Sequence, residues 1–247
     1  MDLKGSPTLA TKPKTLDQTK LAVPKDLVVM AIDLGGSHVK ARLSSGSERR
    51  AVVSGPSMSA KKMVEAVKEM TADWQYDVIG MGYPGPVKDN KPAIEPHNLG
   101  PGWKDFDFSA AFGKPVRLVN DAVMQAIGGY KGGNMLFIGL GTGLGSAMIV
   151  HNVCLPMELA HLPYKKKETF EDFVGERGLE KRGKKKWRKS VEDVIGRLQA
   201  ALLPHEIVIG GGNVDKLETL PEGCRAGDNE NAFLGGFRIW KDESLQL

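Results

Sequence analysis

The sequence predicts an α/β protein built from two related halves that face each other across a cleft. Two observations carry this reading. From Leu27 onward, short apolar runs of strand length alternate with runs at helical spacing, the pattern of helices packed on sheets. One pattern also occurs twice: "AIDLGGSHVKARL" and "FIGLGTGLGSAMI" are each an apolar strand, a tight glycine turn and a second apolar strand.

The elements follow in order. Residues 1–26 are polar, contain proline and lack sustained periodicity, so a disordered leader is expected there. No secretory apolar core occurs in it, and Asp2, Asp17 and the absence of Arg argue against a transit peptide. Strands are expected at "LVVMAID", "VKARL" and "RRAVVS", each bounded by Gly or Ser. In "SAKKMVEAVKEMTADW", Met63, Val64, Val67 and Met70 share one helical face. The strand "DVIGMG" runs into the turn "YPGPV". The passage after it, "KDNKPAIEPHNLGPGWKDFDFS", reads as a long turn-rich loop, and such loops in compact domains are usually functional. Strand "PVRLV", helix "AVMQAIGGY", strand "MLFIGL", a glycine turn and strand "SAMIV" come next. Two helices, strand "EIVIGGG" and a final helix "NENAFLGGFRIW" complete the chain.

Composition narrows the function. Hydrophobic residues at 41% and charged residues at 26% are ordinary for a soluble globular protein. A net charge of +4 favours anionic ligands without demanding nucleic acid. Two cysteines, Cys154 and Cys224, are too few for a disulfide framework or a four-ligand zinc site, which points to a reducing compartment and a cytoplasmic protein. No apolar run approaches the ~20 residues of a membrane span.

Five stretches are able to carry chemistry. In "IDLGGSHVK", Asp33 ends a buried strand and Gly35, Gly36 and Ser37 form the turn. Glycines there permit positive φ and bring N–H groups onto an anion, and a carboxylate beside them tolerates phosphate only with a metal between, so Asp33 is a candidate Mg²⁺ ligand. A plain hairpin with a turn Asp is the alternative. "GLGTGLGS" alternates Gly139, Gly141, Gly143 and Gly145 around Thr142, more glycine than a structural hairpin needs, and reads as a second phosphate turn. In "LVNDAVMQA", Asp121 is either the N-cap of a helix or a general base at the C-terminal edge of a sheet. "MELAHL" places Glu158 and His161 at i and i+3, half of a metal site or a pair of hydrogen-bonding groups for a polyhydroxyl ligand. "IVIGGGN" ends a strand in Gly211, Gly212 and Asn213, either a capped turn or a close backbone approach to a ligand.

A sixth stretch, "GLEKRGKKKWRKS", nearly spells a P-loop, but Lys185 stands where Ser or Thr must bind Mg²⁺. Trp187, Val191, Val194, Ile195, Leu198 and Leu202 recur at helical spacing, so the Lys/Arg residues face water on a packed helix. The G-x-G-x-x-G at Gly80, Gly82 and Gly85 is no dinucleotide fingerprint, because Pro84 and Pro86 forbid the helix that must follow.

In this order the motifs resemble the ROK family of sugar kinases, within the actin/hexokinase-like superfamily, over residues 28–240. "DLGGS" is similar to the family's first phosphate motif, "NDA" to its catalytic Asp segment, "GLGTGLG" to its second phosphate motif, "ELAH" to its sugar-binding E-x-G-H and "IGGGN" to its nucleotide-side motif. "PHNLGPGW" resembles the sugar-contacting loop and implicates Asn98. The likeness is greatest to the polyphosphate glucokinases, which share a "GKKKW"-like stretch and an ending like "ENAFLGGFRIW".

The resemblance implies an actin-like ATPase/ribonuclease H-like duplicated fold, with a small lobe over 27–119 and a second lobe over 120–247. It implies phosphoryl transfer to the C6 hydroxyl of glucose from polyphosphate, ATP or both, with Mg²⁺, in a homodimer. Asp121 would be the base; Asn98, Asn120, Asp121, Glu158 and His161 would bind the sugar. Asp33, Gly35, Gly36, Ser37, Lys40, Gly141, Thr142, Gly143, Gly211, Gly212 and Asn213 would serve the donor and its metal. Lys184, Lys185, Lys186 and Arg188 would form a polyphosphate track, which should weaken with salt. Two departures matter: Ala160 replaces the Gly of E-x-G-H, and the family's Cys-rich zinc motif is missing, so no zinc is expected. The repressor branch fits poorly, since 26 leader residues are too few for a helix-turn-helix domain. An ATP-dependent kinase for another hexose, and a non-catalytic sugar or nucleic-acid binder, are the rival readings; neither nucleic acid nor membrane is expected as a partner.

Overall fold

The structure is a computed structural model that describes residues 26–247; the leader read over 1–26 lies outside the described residues except for Asp26. The first half is β1 (Val29–Leu34), β2 (His38–Leu43), β3 (Arg49–Val53), α1 (Ala60–Met70), β4 (Val78–Tyr83), the short pair β5 (Val87–Lys88) and β6 (Lys91–Pro92), α2 (Phe108–Phe112) and β7 (Val116–Asn120). The second is α3 (Asp121–Gly129), β8 (Asn134–Leu140), β9 (Leu144–Val150), β10 (Val153–Met157), α4 (Phe170–Val174), α5 (Glu176–Leu202), β11 (Glu206–Gly210), β12 (Cys224–Ala226) and α6 (Asn231–Lys241).

The duplication is visible in the sheets. Their orders are β3-β2-β1-β4-β7 and β10-β9-β8-β11-β12. In each, a central strand (β1 or β8) has an antiparallel partner on one side and a parallel one on the other. The two glycine turns are therefore equivalent: each joins the central strand to its antiparallel neighbour. Met30, Ile32, Met81 and Trp103 cluster with Met63 of α1 and Phe108 of α2, and Leu136, Ile138 and Ile209 with Trp187, Val194 and Ile195 of α5.

Local rules explain most element ends. Ser59 caps α1 by accepting from Lys62 N, and Thr169 and Asp172 form a reciprocal capping box on α4. Gly183, at φ 72°, interrupts α5 just before the lysine run, and after it Trp187, Val191, Val194, Ile195 and Leu198 are buried as the spacing predicts. Trp187 Nε1 donates to Val174 O at 2.7 Å. α2, β10 and β12 are not marked in the sequence. β10 lies at the edge of its sheet; Gln246 bridges its start at Val153, and Pro156 is tolerated because only the β9 side pairs there.

α3 and α6 cross between the sheets at glycine. A Cβ on Gly235 would lie 1.8 Å from Met124 O, and one on Gly128 1.9 Å from Asn231 O. Although last in the sequence, α6 packs back onto the first sheet: Gly236 meets Ala31, Phe233 and Phe237 cover Val29 and Val78, and Trp240 Nε1 donates to Ile79 O at 2.8 Å. Among the described residues no helix is long and apolar enough to cross a membrane.

Candidate active site

The strand-to-helix junction of β7 and α3 presents the first functional group. Asn120 is extended, and its Oδ1 accepts from Ala122 N at 2.9 Å and Val123 N at 3.2 Å, while its Nδ2 donates to Gly85 O at 3.2 Å. Asn120 is thus the N-cap, and Asp121 is the first helical residue. Asp121 Oδ1 accepts from Ala122 N at 2.7 Å, and among the described residues its second oxygen receives no hydrogen bond. Burial pushes this carboxyl up to about 7, the negative charges of Asp33 and Glu158 push the same way, and the Ala122 N–H opposes them.

The first glycine turn belongs to the same sheet, at the end of β1, two strands from β7. Asp33 lies on β1, paired with Lys40 on β2 and Gly82 on β4, and Gly82 pairs with Val119 on β7. A Cβ on Gly82 would lie 2.6 Å from Met124 Cε and 3.3 Å from Asp121 Cα, so the bare strand lets the first turn of α3 pack against β4. Burial raises the Asp33 carboxyl and the Lys40 ammonium draws it back. Ser54 braces the turn from outside, donating through its N–H to Ser37 O and through Oγ to Gly35 O. Gly35 and Gly36 lie outside the left-handed region, so the expectation of positive φ does not hold for them. Space is the reason for Gly36: a Cβ there would sit 3.3 Å from Asn98 Cβ. Gly36 and Asn98, with Pro84, Pro96, His97 and Leu99, line a cavity of about 90 Å³. The loop read as sugar-contacting and the first phosphate turn meet at this cavity.

At the second turn, Gly141 N donates to Gly143 O at 3.1 Å, and again neither glycine has positive φ. A Cβ on Gly143 would lie 2.4 Å from Glu171 Oε2, which accepts from Leu144 N at 3.1 Å. The Glu176 N–H donates to Gly141 O at 3.0 Å. Asn213 is buried; its N–H reaches Leu140 O at 2.9 Å and its Nδ2 reaches Gly141 O at 3.2 Å and Glu176 Oε2 at 3.3 Å. It does not cap the short turn Val214–Lys216 with its side chain. Gly211 does need its positive φ of 89°, and it presses on Leu140 O. Gly211, Gly212 and Asn213 therefore form one unit with the second turn. Glu171 and Glu176 belong to this site but escape a sequence reading, because acids in the first turn of a helix are explained by the helix dipole alone.

Glu158 and His161 bracket a 3₁₀ turn, Leu159–His161, which stacks positions i and i+3; Glu158 Oε2 and His161 Nε2 are 3.7 Å apart and exposed. The structure thus brings Asp33 and Glu158 each close enough to act on Asp121.

Residues 29–155 match the model of the ROK family, just over half of the chain. The chain belongs to the ROK family. Among characterised relatives, the bifunctional enzyme NanE/NanK of Brucella melitensis is 28% identical over 148 residues, 54% of this chain and 29% of that protein. The chain thus spans less than a third of the length of the curated relatives it matches. Three solved structures share the fold. The inorganic polyphosphate/ATP-glucomannokinase of Arthrobacter sp. strain KM has TM-score 0.76 at 22% identity, covering 87% of this chain and 99% of that one. The ROK glucokinase of Streptomyces griseus, in complex with glucose and AMPPNP, has TM-score 0.71 at 16% identity, covering 87% and 99%. A ROK transcriptional regulator homologous to the E. coli MLC protein has TM-score 0.69 at 14% identity, covering 88% and 78%. This is the actin-like ATPase fold, as the duplicated sheets imply.

On this ROK scaffold the basic segments converge. Glu168 pairs with Lys181 and Arg182, which ties the Lys165, Lys166 and Lys167 turn to the first part of α5. Lys184, Lys185 and Lys186 are exposed immediately after Gly183. Arg188 is committed elsewhere: its Nε donates to Lys216 O at 2.6 Å and its guanidinium pairs with Glu218.

Proposed function

We propose that this ROK protein is a sugar kinase that transfers a phosphoryl group from inorganic polyphosphate, with ATP as a second donor, to the C6 hydroxyl of glucose. The observation that carries the reading is Asp121: Asn120 supplies the N-cap beside it, one of its carboxyl oxygens stays free of hydrogen bonds among the described residues, and burial with the neighbouring charges of Asp33 and Glu158 raises the carboxyl to about 7. A base with that affinity for protons can take one from an alcohol as the alcohol attacks. Asn98, Glu158, His161 and the one uncommitted Nδ2–H of Asn120 would orient the sugar. The turns at Gly35-Gly36-Ser37 and Gly141-Thr142-Gly143, with Lys40, Gly211, Gly212 and Asn213, would hold the donor so that attack is in line.

Magnesium fits this donor set. Asp33 and Asp121 are buried carboxyls, the charge of Asp33 disfavours that of Asp121, and hard cations prefer such oxygens. Among the described residues no three His, Cys, Asp or Glu side chains cage a metal by themselves, so Asp33 would share it with donor phosphate oxygens, directly or through water. Bound there, Mg²⁺ would neutralise charge on the donor phosphates. Closure of lobes 27–119 and 120–247 would exclude water as a competing acceptor. Polyphosphate is favoured as donor by the two basic segments that Glu168 joins, and the likeness to a polyphosphate/ATP-glucomannokinase supports it.

The test is to incubate the protein with glucose and Mg²⁺ plus either nucleotide-free polyphosphate or ATP and to follow glucose 6-phosphate. Product from polyphosphate supports the reading. Product from ATP alone replaces it with an ATP-dependent hexokinase, and no product from either with glucose or mannose overturns it.

A further inference from the structure

We infer that Lys216 is the cation that grips the donor's phosphate chain at the second glycine turn, and that Glu176 holds it in reserve until the donor arrives. The inference rests on reading that turn as a donor site. The surroundings of the turn pose an electrostatic problem for any polyanion. Glu171 accepts the Leu144 N–H at its edge, and Glu176 stands on its other side, bonded through its own N–H to Gly141 O. A phosphate chain entering there meets two carboxylates, and it needs a cation to offset them.

The cations nearby are mostly committed. Arg188 is spent on Lys216 O and Glu218, and Lys181 and Arg182 on Glu168. Arg177 is largely exposed and lies 3.8 Å from Glu171 and 3.7 Å from Asp172. Lys216 is placed differently. Its Nζ donates to Asn213 Oδ1 at 2.5 Å and lies 3.4 Å from Glu176 Oε1, and the same Asn213 side chain donates to Gly141 O. The ammonium is therefore two hydrogen bonds from the turn, on a flexible stem with rotatable donors. A phosphate offers more charge and more acceptor oxygens than Glu176, so it competes for the ammonium. Glu176 keeps the Asn213 Nδ2–H when Lys216 leaves it, which lets the exchange proceed without orphaning the carboxylate. The recognised chemistry is a chain of phosphates, supplied by polyphosphate or by a nucleoside triphosphate.

The two residues should respond in opposite directions. Binding of Mg²⁺–tripolyphosphate and of Mg²⁺–AMP-PNP to the full chain would be measured by calorimetry without sugar, alongside melting temperature and the KM for glucose. Lys216→Met is expected to weaken donor binding by about tenfold or more, the scale of a lost charge-assisted bond, with glucose KM unchanged. Glu176→Gln is expected to tighten it severalfold, and Lys216→Arg to restore most of it. Weakening confined to one ligand supports the inference and identifies the source of the phosphate chain. If Lys216 merely locks the Val214–Lys216 turn to α5, both variants lower the melting temperature and leave donor affinity alone, which overturns the inference while the donor reading stands. If the unmodified protein binds neither ligand, the donor reading fails and the inference with it.

Discussion

Asn120 caps α3 so that Asp121 need not. Its Oδ1 takes both the Ala122 and Val123 N–H groups, sharing the first with Asp121 Oδ1, and the other oxygen of that carboxyl stays free of hydrogen bonds among the described residues. Asp121→Asn should therefore fold normally yet lose 10²–10⁴ in kcat, roughly the contribution of a general base, with little change in either KM. Asn120→Ala should instead cost about 1 kcal/mol of stability for the lost cap, measured by urea unfolding. A near-fully active Asp121→Asn would remove this residue from the chemistry.

The same burial makes both rate and stability depend on pH. Asp121 holds its proton more tightly folded, near 7, than at its ordinary 3.8. Its contribution to stability is thus complete below about pH 4, falls as pH rises toward 7 and is flat above, by linkage. Asp121→Asn should flatten that fall without abolishing it, since buried Asp33 contributes with the same sign. In turnover the base must be ionised, so kcat/KM should rise with pH through an inflection near 7. A pH–rate profile without that inflection, with melting temperatures unchanged by the substitution, would contradict the burial argument.

What was legible in the sequence was whatever short-range periodicity and turn chemistry decide. The strands of both glycine hairpins, α1 and the packed face of α5 after Gly183 follow from apolar spacing. Asp33, Asp121 and Glu158 are marked as reactive by residue type at strand ends, but the approach of Asp33 to Asp121 depends on β1, β4 and β7 lying side by side, and that of Glu158 on how β10 of the second sheet is placed, which no local pattern encodes. β10 and β12 were missed because an edge strand is defined by its partner. Arg188 illustrates the converse: in sequence it belongs with the lysines, and only the fold carries it to Lys216 O and Glu218.

The glycines divide into those that touch and those that do not, which gives a contrast in stability. Gly235→Ala places a methyl against Met124 O at a crossing of two helices that cannot separate without disturbing both sheets; a loss of about 3 kcal/mol or more is expected. Gly196→Ala, in α5 with nothing within 4 Å, should gain about 0.5–1 kcal/mol from backbone entropy. Urea midpoints of the two variants moving together would refute the close-packed crossing.

The lysines after Gly183 provide a last separation, between donor track and solvated helix. Replacing Lys184, Lys185 and Lys186 by Gln alters no packing, since all three are exposed. If they line a track, the polyphosphate KM should rise severalfold at low salt while the ATP KM holds, and salt should raise the unmodified protein's polyphosphate KM toward the variant's by screening the same contacts. Arg188→Ala should behave differently. Its guanidinium bonds Lys216 O and Glu218, so the expected cost is about 1 kcal/mol of stability. Kinetics at two salt concentrations with both donors decide it: equal KM values for variant and parent on polyphosphate would return the three lysines to an ordinary helix surface.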